Sequence, residues 1–285
     1  MLFRIQEVKP FLKLRGALES QISIPLYNTQ AELQLLSKLK NQSYRAYIGA
    51  LKKLPTRDIS TDLETTSTFD IVREEEEILV GGLIPTQREI FLDAIVPKTT
   101  PETVDACFKE PALLADTPLV TFNYTFIIDG HHRWATMCAI NPRIKCSIIN
   151  FKEYNLTPIQ FLKLLQGAIV MEEGELPEVP KNLYKINIYQ ASNKLIRGYI
   201  AKHLSKDALE RIKEKLNLDD SEHALNYYVQ NVLSMKYNNI PAVGSPSREL
   251  MPQTDDNETV LDIVEEVTPV LTSTEQVKFT IIHDK

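Results

Sequence analysis

Apolar positions along the chain switch between helical and alternating spacing, and the switches mark out its elements. From Gln30 to Leu54, Leu33, Leu36, Leu39, Tyr47, Ile48 and Leu51 recur at intervals that suit an amphipathic helix, with a break at Asn41-Gln42-Ser43. Lys38, Lys40, Arg45, Lys52 and Lys53 decorate its outer surface, as on an ordinary solvated helix. Pro55 to Asp70 is rich in Thr, Ser and Asp and reads as a linker or long loop. The acidic run Glu74 to Glu77 precedes a short apolar strand, Ile78-Leu79-Val80. Pro118 to Phe122 and Tyr124 to Ile128 are rich in β-branched and aromatic residues and form hairpin partners, with Asn123 near the turn. Lys145 to Phe151 returns as a strand, and Pro101 sits where a helix starts.

Downstream, Thr157 to Ile169 is a leucine-rich helix with Thr157 as its cap and Pro158 in its first turn. Ile186 to Leu204, Ser205 to Leu216 and Asp219 to Lys236 continue with helical periodicity, and His223 there is a surface or packing residue. Met1 to Pro25 predicts only short regular structure, and Pro241 to Glu258 a flexible segment. Val277 to Ile282 alternates as a terminal strand, suited to the sheet edge of this chain or of a partner. The expected class is α/β (α+β), a compact mixed-sheet domain with N-terminal and C-terminal helical extensions. The expected divisions are a mainly helical extension at 1–65, the α/β domain at 70–154, a helical region at 155–238 and an acidic tail at 239–285.

Readable chemistry is concentrated where the apolar run Phe126-Ile127-Ile128 stops at Asp129-Gly130 and a helix begins with His131-His132-Arg133. A strand-turn-helix junction aims the free N–H groups of the first helical turn at one point, where the helix dipole also favours an anion. Gly130 lets the backbone approach closely, and His131, His132 and Arg133 bring donors or fixed charge beside it. The segment therefore predicts a phosphate cradle, with Arg133 able to fork across two phosphate oxygens. Adjacent histidines on a helix point about 100° apart, which disfavours a shared metal ion. Asp129 is expected to cap the helix, and Trp134 to lie in the core. Upstream, Ile84 to Gln87 ends a strand and leaves Gln87 and Glu89 in the loop that follows, where Glu89 could serve as general base on an attacking hydroxyl or water, or simply open a helix.

Asp129-Gly130-His131-His132-Arg133 resembles the signature of the ParB/sulfiredoxin superfamily, whose members share a small α/β domain with a Gly-x-x-Arg phosphate-binding turn. Ile84-Pro85-Thr86-Gln87-Arg88-Glu89-Ile90 resembles the early strand-loop element of many ParB-like domains. Together the matches span Leu83 to Phe151. The resemblance implies nucleotide binding, with ATP or another NTP and Mg2+ as cofactors. It also implies an NTP-dependent phosphotransferase (kinase) or NTP hydrolase as the activity. Gly130, His131, His132, Arg133, Gln87 and Thr86 would then bind nucleotide phosphate, and Glu89, Asp129 and His132 would carry the catalysis. The same resemblance leaves open a DNA-binding ParB-like protein or nuclease, and a non-catalytic interaction or structural protein. Similar domains occur in proteins of tailed bacteriophages, for which the host cytoplasm is the expected compartment.

Composition narrows these alternatives. The 32 basic residues face 38 acidic ones, a formal net charge of −6, which opposes unassisted binding to a nucleic-acid backbone. Cys107, Cys138 and Cys146 lack Cys-x-x-Cys spacing, so no disulfide framework or cysteine zinc site is expected, and a reducing cytoplasm fits. His131 stands where the redox branch that resembles sulfiredoxin would need a cysteine, which disfavours sulfinic-acid reduction. No apolar run approaches the ~20 residues of a membrane span, and Met1 to Gln6 does not resemble the start of a signal peptide, so no membrane partner is expected. The expected partners are a nucleotide and an acceptor, with self-association through the terminal strand as a further possibility.

Overall fold

The computed structural model describes residues 22–25, 30–38, 50, 53, 64–69, 71–173, 186–251 and 277–282. The chain is of the α/β class and separates into two compact units. One comprises residues 1–73, 152–179 and 249–285, the other 74–151 and 180–248. The helices between Asn193 and Asn238 thus belong with the expected phosphate-site domain, whereas the helix after Thr157 belongs to the other unit.

In the first unit β1 (Ile22–Pro25), β2 (Glu64–Phe69) and β8 (Val277–Ile282) form a three-stranded sheet in the order β1-β8-β2. The terminal strand is therefore central within its own sheet: it runs parallel to β1 with Ile22 opposite Val277, and antiparallel to β2 with Phe69 opposite Val277. Strand β2 lies where the Thr- and Ser-rich composition suggested only a loop, because Thr favours a pleated backbone. Helix α1 (Gln30–Lys38) keeps the first part of the expected amphipathic helix and buries Leu33 and Leu36, while the break at residues 41–43 lies outside the described residues.

The second unit is built on a five-stranded mixed sheet. Its members are β3 (Val72–Leu79), β4 (Ile84–Pro85), β5 (Leu119–Phe122), β6 (Phe126–Asp129) and β7 (Lys145–Lys152), in the order β3-β7-β5-β6-β4. The acidic run lies inside β3 rather than ahead of it; an edge strand tolerates charge on exposed positions and is protected by it from pairing with another chain. The β5–β6 hairpin turns through Asn123 and Tyr124, both left-handed at φ 49° and 56°, and Thr125 N–H closes it onto Phe122 O at 3.2 Å.

Helix α4 (His131–Ile140) is the centre of this unit, after the short helices α2 (Leu92–Ile95) and α3 (Pro101–Ala106). Every residue of α4 except His132 is buried, as expected for a helix covered on all sides. Trp134 is fully buried and donates Nε1–H to Val80 O at 2.9 Å. Helix α5 (Pro158–Glu173) is capped by Thr157, whose hydroxyl accepts Gln160 N–H. Helices α6 (Asn193–His203), α7 (Lys206–Leu216) and α8 (Ser221–Asn238) are capped by Ser192, Ser205 and Asp220. Asn231 on α8 donates to Ala139 O at 3.0 Å and so ties that helix to α4. Residues 186–191 are extended or turn, so α6 begins later than the periodicity suggested; Ile188 N–H bonds Ile90 O instead of continuing a helix. Among the described residues no helix is long and apolar enough to cross a membrane.

Candidate functional site

The turn between β6 and α4 is shaped by a register shift and a glycine. Val120 of β5 faces Asp129 while Thr121 faces Ile127, so β6 carries an irregularity at Ile128 immediately before the turn. Gly130 follows at φ 87°, where an L side chain is strained, and an added Cβ would stand 2.6 Å from Leu119 Cδ2 and 3.0 Å from Arg133 Nη2. Gly130 rather than Asp129 is the helix cap, and no side chain caps it. Asp129 accepts Arg133 Nη2 at 3.1 Å across i,i+4, because the guanidinium folds back over the glycine and satisfies the carboxylate from within the helix.

Arg133 is buried, with a side-chain exposure of 8%. Its Nη1 donates to Thr117 O at 3.2 Å, its Nη2 to Asp129, and its Nε has no hydrogen-bond partner among the described residues. A buried donor left unsatisfied costs about 1–3 kcal/mol, and more when charged. Burial lowers the Arg133 pKa while Asp129 opposes the shift, and a guanidinium remains cationic in either case.

The two histidines do different work from that expected. His131 Nε2 accepts the backbone N–H of Thr86 at 3.1 Å, and His132 Nε2 accepts that of Phe91 at 3.2 Å. Their divergence on the helix lets adjacent residues catch both ends of one loop. Burial drives the His131 pKa down to about 3, helped by the charge of Arg248, and holds His132 well below the ordinary imidazole range. Both rings are thus neutral near pH 7, with Nε2 engaged as acceptor, and neither supplies positive charge to the turn. His132 also stacks on Phe91, ring centroids 6.0 Å apart.

Thr86 and Gln87 are fully buried. Thr86 Oγ1 donates to Ile127 O at 2.5 Å, and Gln87 Nε2 donates to Glu89 O. Residues 241–248, expected to be flexible, are instead bonded along this loop. Ala242 N–H reaches Pro85 O at 2.9 Å, Arg88 N–H reaches Pro246 O at 3.0 Å, and Arg248 N–H reaches Glu89 Oε2 at 2.7 Å. Arg248 Nη1 donates to Gln87 Oε1 at 3.3 Å. Residues 241–247 form no regular element of their own, and these backbone bonds to the loop satisfy groups that a helix or sheet would otherwise pair. Glu89 lines a cleft of about 620 Å³ that none of Asp129 to Arg133 lines.

Two cations that sequence patterning did not pick out, Lys98 and Arg248, bear on the turn electrostatically. The Lys98 pKa is lowered by desolvation first and then by the like charges of Arg133 and Arg248, and the charges of Arg248 and Lys98 also bear on His132. Lys98 follows a proline in a one-turn helix at Val96–Lys98, and Arg248 stands in a Ser- and Pro-containing stretch, so neither belongs to a periodic pattern. Among the described residues no group of three or more His, Cys, Asp or Glu side chains could hold a metal ion. Cys107, Cys138 and Cys146 are free, buried thiols whose pKa values burial pushes up to about 12. Comparison with protein-family models, curated proteins and solved structures returns no match.

Proposed function

We propose that the Gly130–Arg133 turn binds the phosphates of a nucleoside triphosphate, and that the protein is an NTP-dependent phosphotransferase or NTP hydrolase of the ParB/sulfiredoxin type. The observation that carries this reading is the Arg133 guanidinium, buried over Gly130 at a helix N-terminus with Nε lacking an acceptor among the described residues. A phosphate oxygen brought to that nitrogen by a local opening of the turn would supply the acceptor, at a helix N-terminus whose dipole favours an anion. Arg248, bonded to Gln87 and Glu89, adds a cation beside the flanking loop. His131 and His132 hold the loop that flanks the site, Thr86 and Gln87 brace it from within, and Asp129 is the carboxylate at the turn itself.

Magnesium would enter with the nucleotide. The ion takes most of its ligands from phosphates and water and needs one or two protein carboxylates, a demand Asp129 suits because Arg133 occupies only its Oδ2. When bound, the ion neutralises charge on the phosphate oxygens. A thermal-shift screen of nucleotides and inorganic phosphates with magnesium tests the reading. A nucleoside triphosphate is expected to raise the melting temperature, and Arg133→Lys to reduce the rise; no shift with any nucleotide counts against it.

A further inference from the structure

Helix α6 is held by one face and leaves the other open. Its Ile196 and Ile200 are fully buried, and Ser192 caps it by accepting Leu195 N–H. On its outward side Lys194, Leu195, Gly198, Tyr199, Lys202 and His203 recur three and four residues apart and line a groove of about 490 Å³. Leu195 is 49% exposed, and nothing lies within 4 Å of where a Cβ on Gly198 would stand. Glycine weakens a helix relative to alanine, and no contact within the protein demands it here; its effect is to keep the floor of the groove low. His203 stacks on Tyr199 with ring centroids 4.3 Å apart, so the two rings act as one surface. No acidic residue lines the groove, and neither Lys194 nor Lys202 is paired with a described acidic side chain. The two lysines stand about 12 Å apart along the helix axis.

We propose that this face docks an acidic amphipathic helix of another protein, one that carries carboxylates about two turns apart with an apolar side chain between them. The carboxylates meet Lys194 and Lys202, the apolar side chain packs on Leu195 and Tyr199, and Gly198 lets the two backbones approach. Charge complementarity selects this occupant. A second copy of the chain would set the basic patch against itself, because a two-fold interface uses one surface twice. A nucleic-acid backbone gains nothing from an exposed leucine beside a low floor, and the formal net charge of −6 opposes it. A bilayer surface is flat on this scale, whereas a groove receives a convex ligand, and Ile196 and Ile200 are already spent on the core. The inference is independent of the nucleotide reading of the turn.

The full-length protein is titrated by fluorescence anisotropy against a labelled alanine-based peptide of about 15 residues, long enough to hold a helix, with glutamates two turns apart and leucines between them. The peptide is expected to bind saturably and less tightly as salt rises, and a version with glutamine for glutamate to bind at least roughly tenfold more weakly. Lys194→Glu, and independently Lys202→Glu, are expected to weaken binding of the acidic peptide roughly tenfold. Gly198→Leu is expected to abolish it while the melting temperature stays level or rises, since the new side chain enters open space and a helical glycine is removed. Light scattering, duplex DNA and phosphatidylserine vesicles test the other occupants. The proposal is overturned by no binding of the acidic peptide, by equal binding of the glutamine version, or by indifference to Gly198→Leu. It is also overturned by self-association, DNA binding or vesicle binding that Lys194→Glu and Lys202→Glu remove.

Discussion

The imidazole Nε2 of His131 accepts the backbone N–H of Thr86 at 3.1 Å, a bond that spans 45 residues and needs the ring to be neutral. Its folded pKa, about 3, lies below the ordinary 6.5, so between those values the unfolded chain binds the extra proton. Stability from this bond is complete above about pH 6.5 and is lost as pH falls toward 3. The unfolding free energy of the wild type is expected to be about 2 kcal/mol lower at pH 5 than at pH 7 from His131 alone, with His132 acting in the same direction. His131→Gln, whose amide oxygen can accept the same N–H without titrating, should flatten that dependence in urea unfolding. An unchanged slope in the variant would place the acid sensitivity elsewhere.

Gly130→Ala should destabilise the protein by about 1–3 kcal/mol, from the left-handed backbone and the crowding against Leu119. It should also displace Arg133, whose guanidinium lies over the glycine, so nucleotide binding falls further than stability alone explains. Urea denaturation and calorimetry on the same variant separate the two losses. A variant of wild-type stability would show that the turn does not hold this conformation.

Trp134 is the chain's single tryptophan and is fully buried, with its N–H on Val80 O. Its fluorescence should peak at short wavelength and resist quenching by acrylamide until the protein unfolds. Trp134→Phe should cost about 1–3 kcal/mol, because the smaller ring leaves a void in the core and Val80 O keeps only the longer bond from Leu83 N–H. Easy quenching in native buffer would contradict the central position of α4.

Arg248→Ala should loosen the loop that Gln87 and Glu89 brace, since Arg248 donates to Gln87 through its side chain. Amide exchange between Thr86 and Phe91 is expected to quicken, and nucleotide binding to weaken as a cation leaves the site. Unaltered exchange would show that the 241–248 segment does not restrain the loop.

The parts of this arrangement that were legible in the sequence are those set by local rules. The hairpin at Asn123, the caps at Thr157 and Ser205, the strand at Lys145 and the helix after Gly130 each follow from residue type and spacing within a few positions. What escaped depends on partners distant in sequence. Asp129 was expected to cap the helix by the usual preference, and only the fold-back of Arg133 over Gly130 shows why it does not. The histidines were expected to face an anion, but their rings turn to Thr86 and Phe91, 45 and 41 residues away. Arg248 joins Gln87 and Glu89 from a segment whose prolines signal only the absence of a helix, because its order comes from backbone bonds to the loop.

If the buried Arg133 guanidinium receives a nucleotide phosphate, the binding can be read from the heat it releases or absorbs. Isothermal titration of the full-length protein with ATP, and then with the other nucleoside triphosphates, in the presence of magnesium measures it directly. At least one triphosphate is expected to bind saturably, with affinity reduced roughly tenfold or more in Arg133→Lys, which keeps a charge but loses the guanidinium fork. Absence of heat with every nucleotide on folded wild-type protein, or equal affinity in wild type and Arg133→Lys, would contradict it.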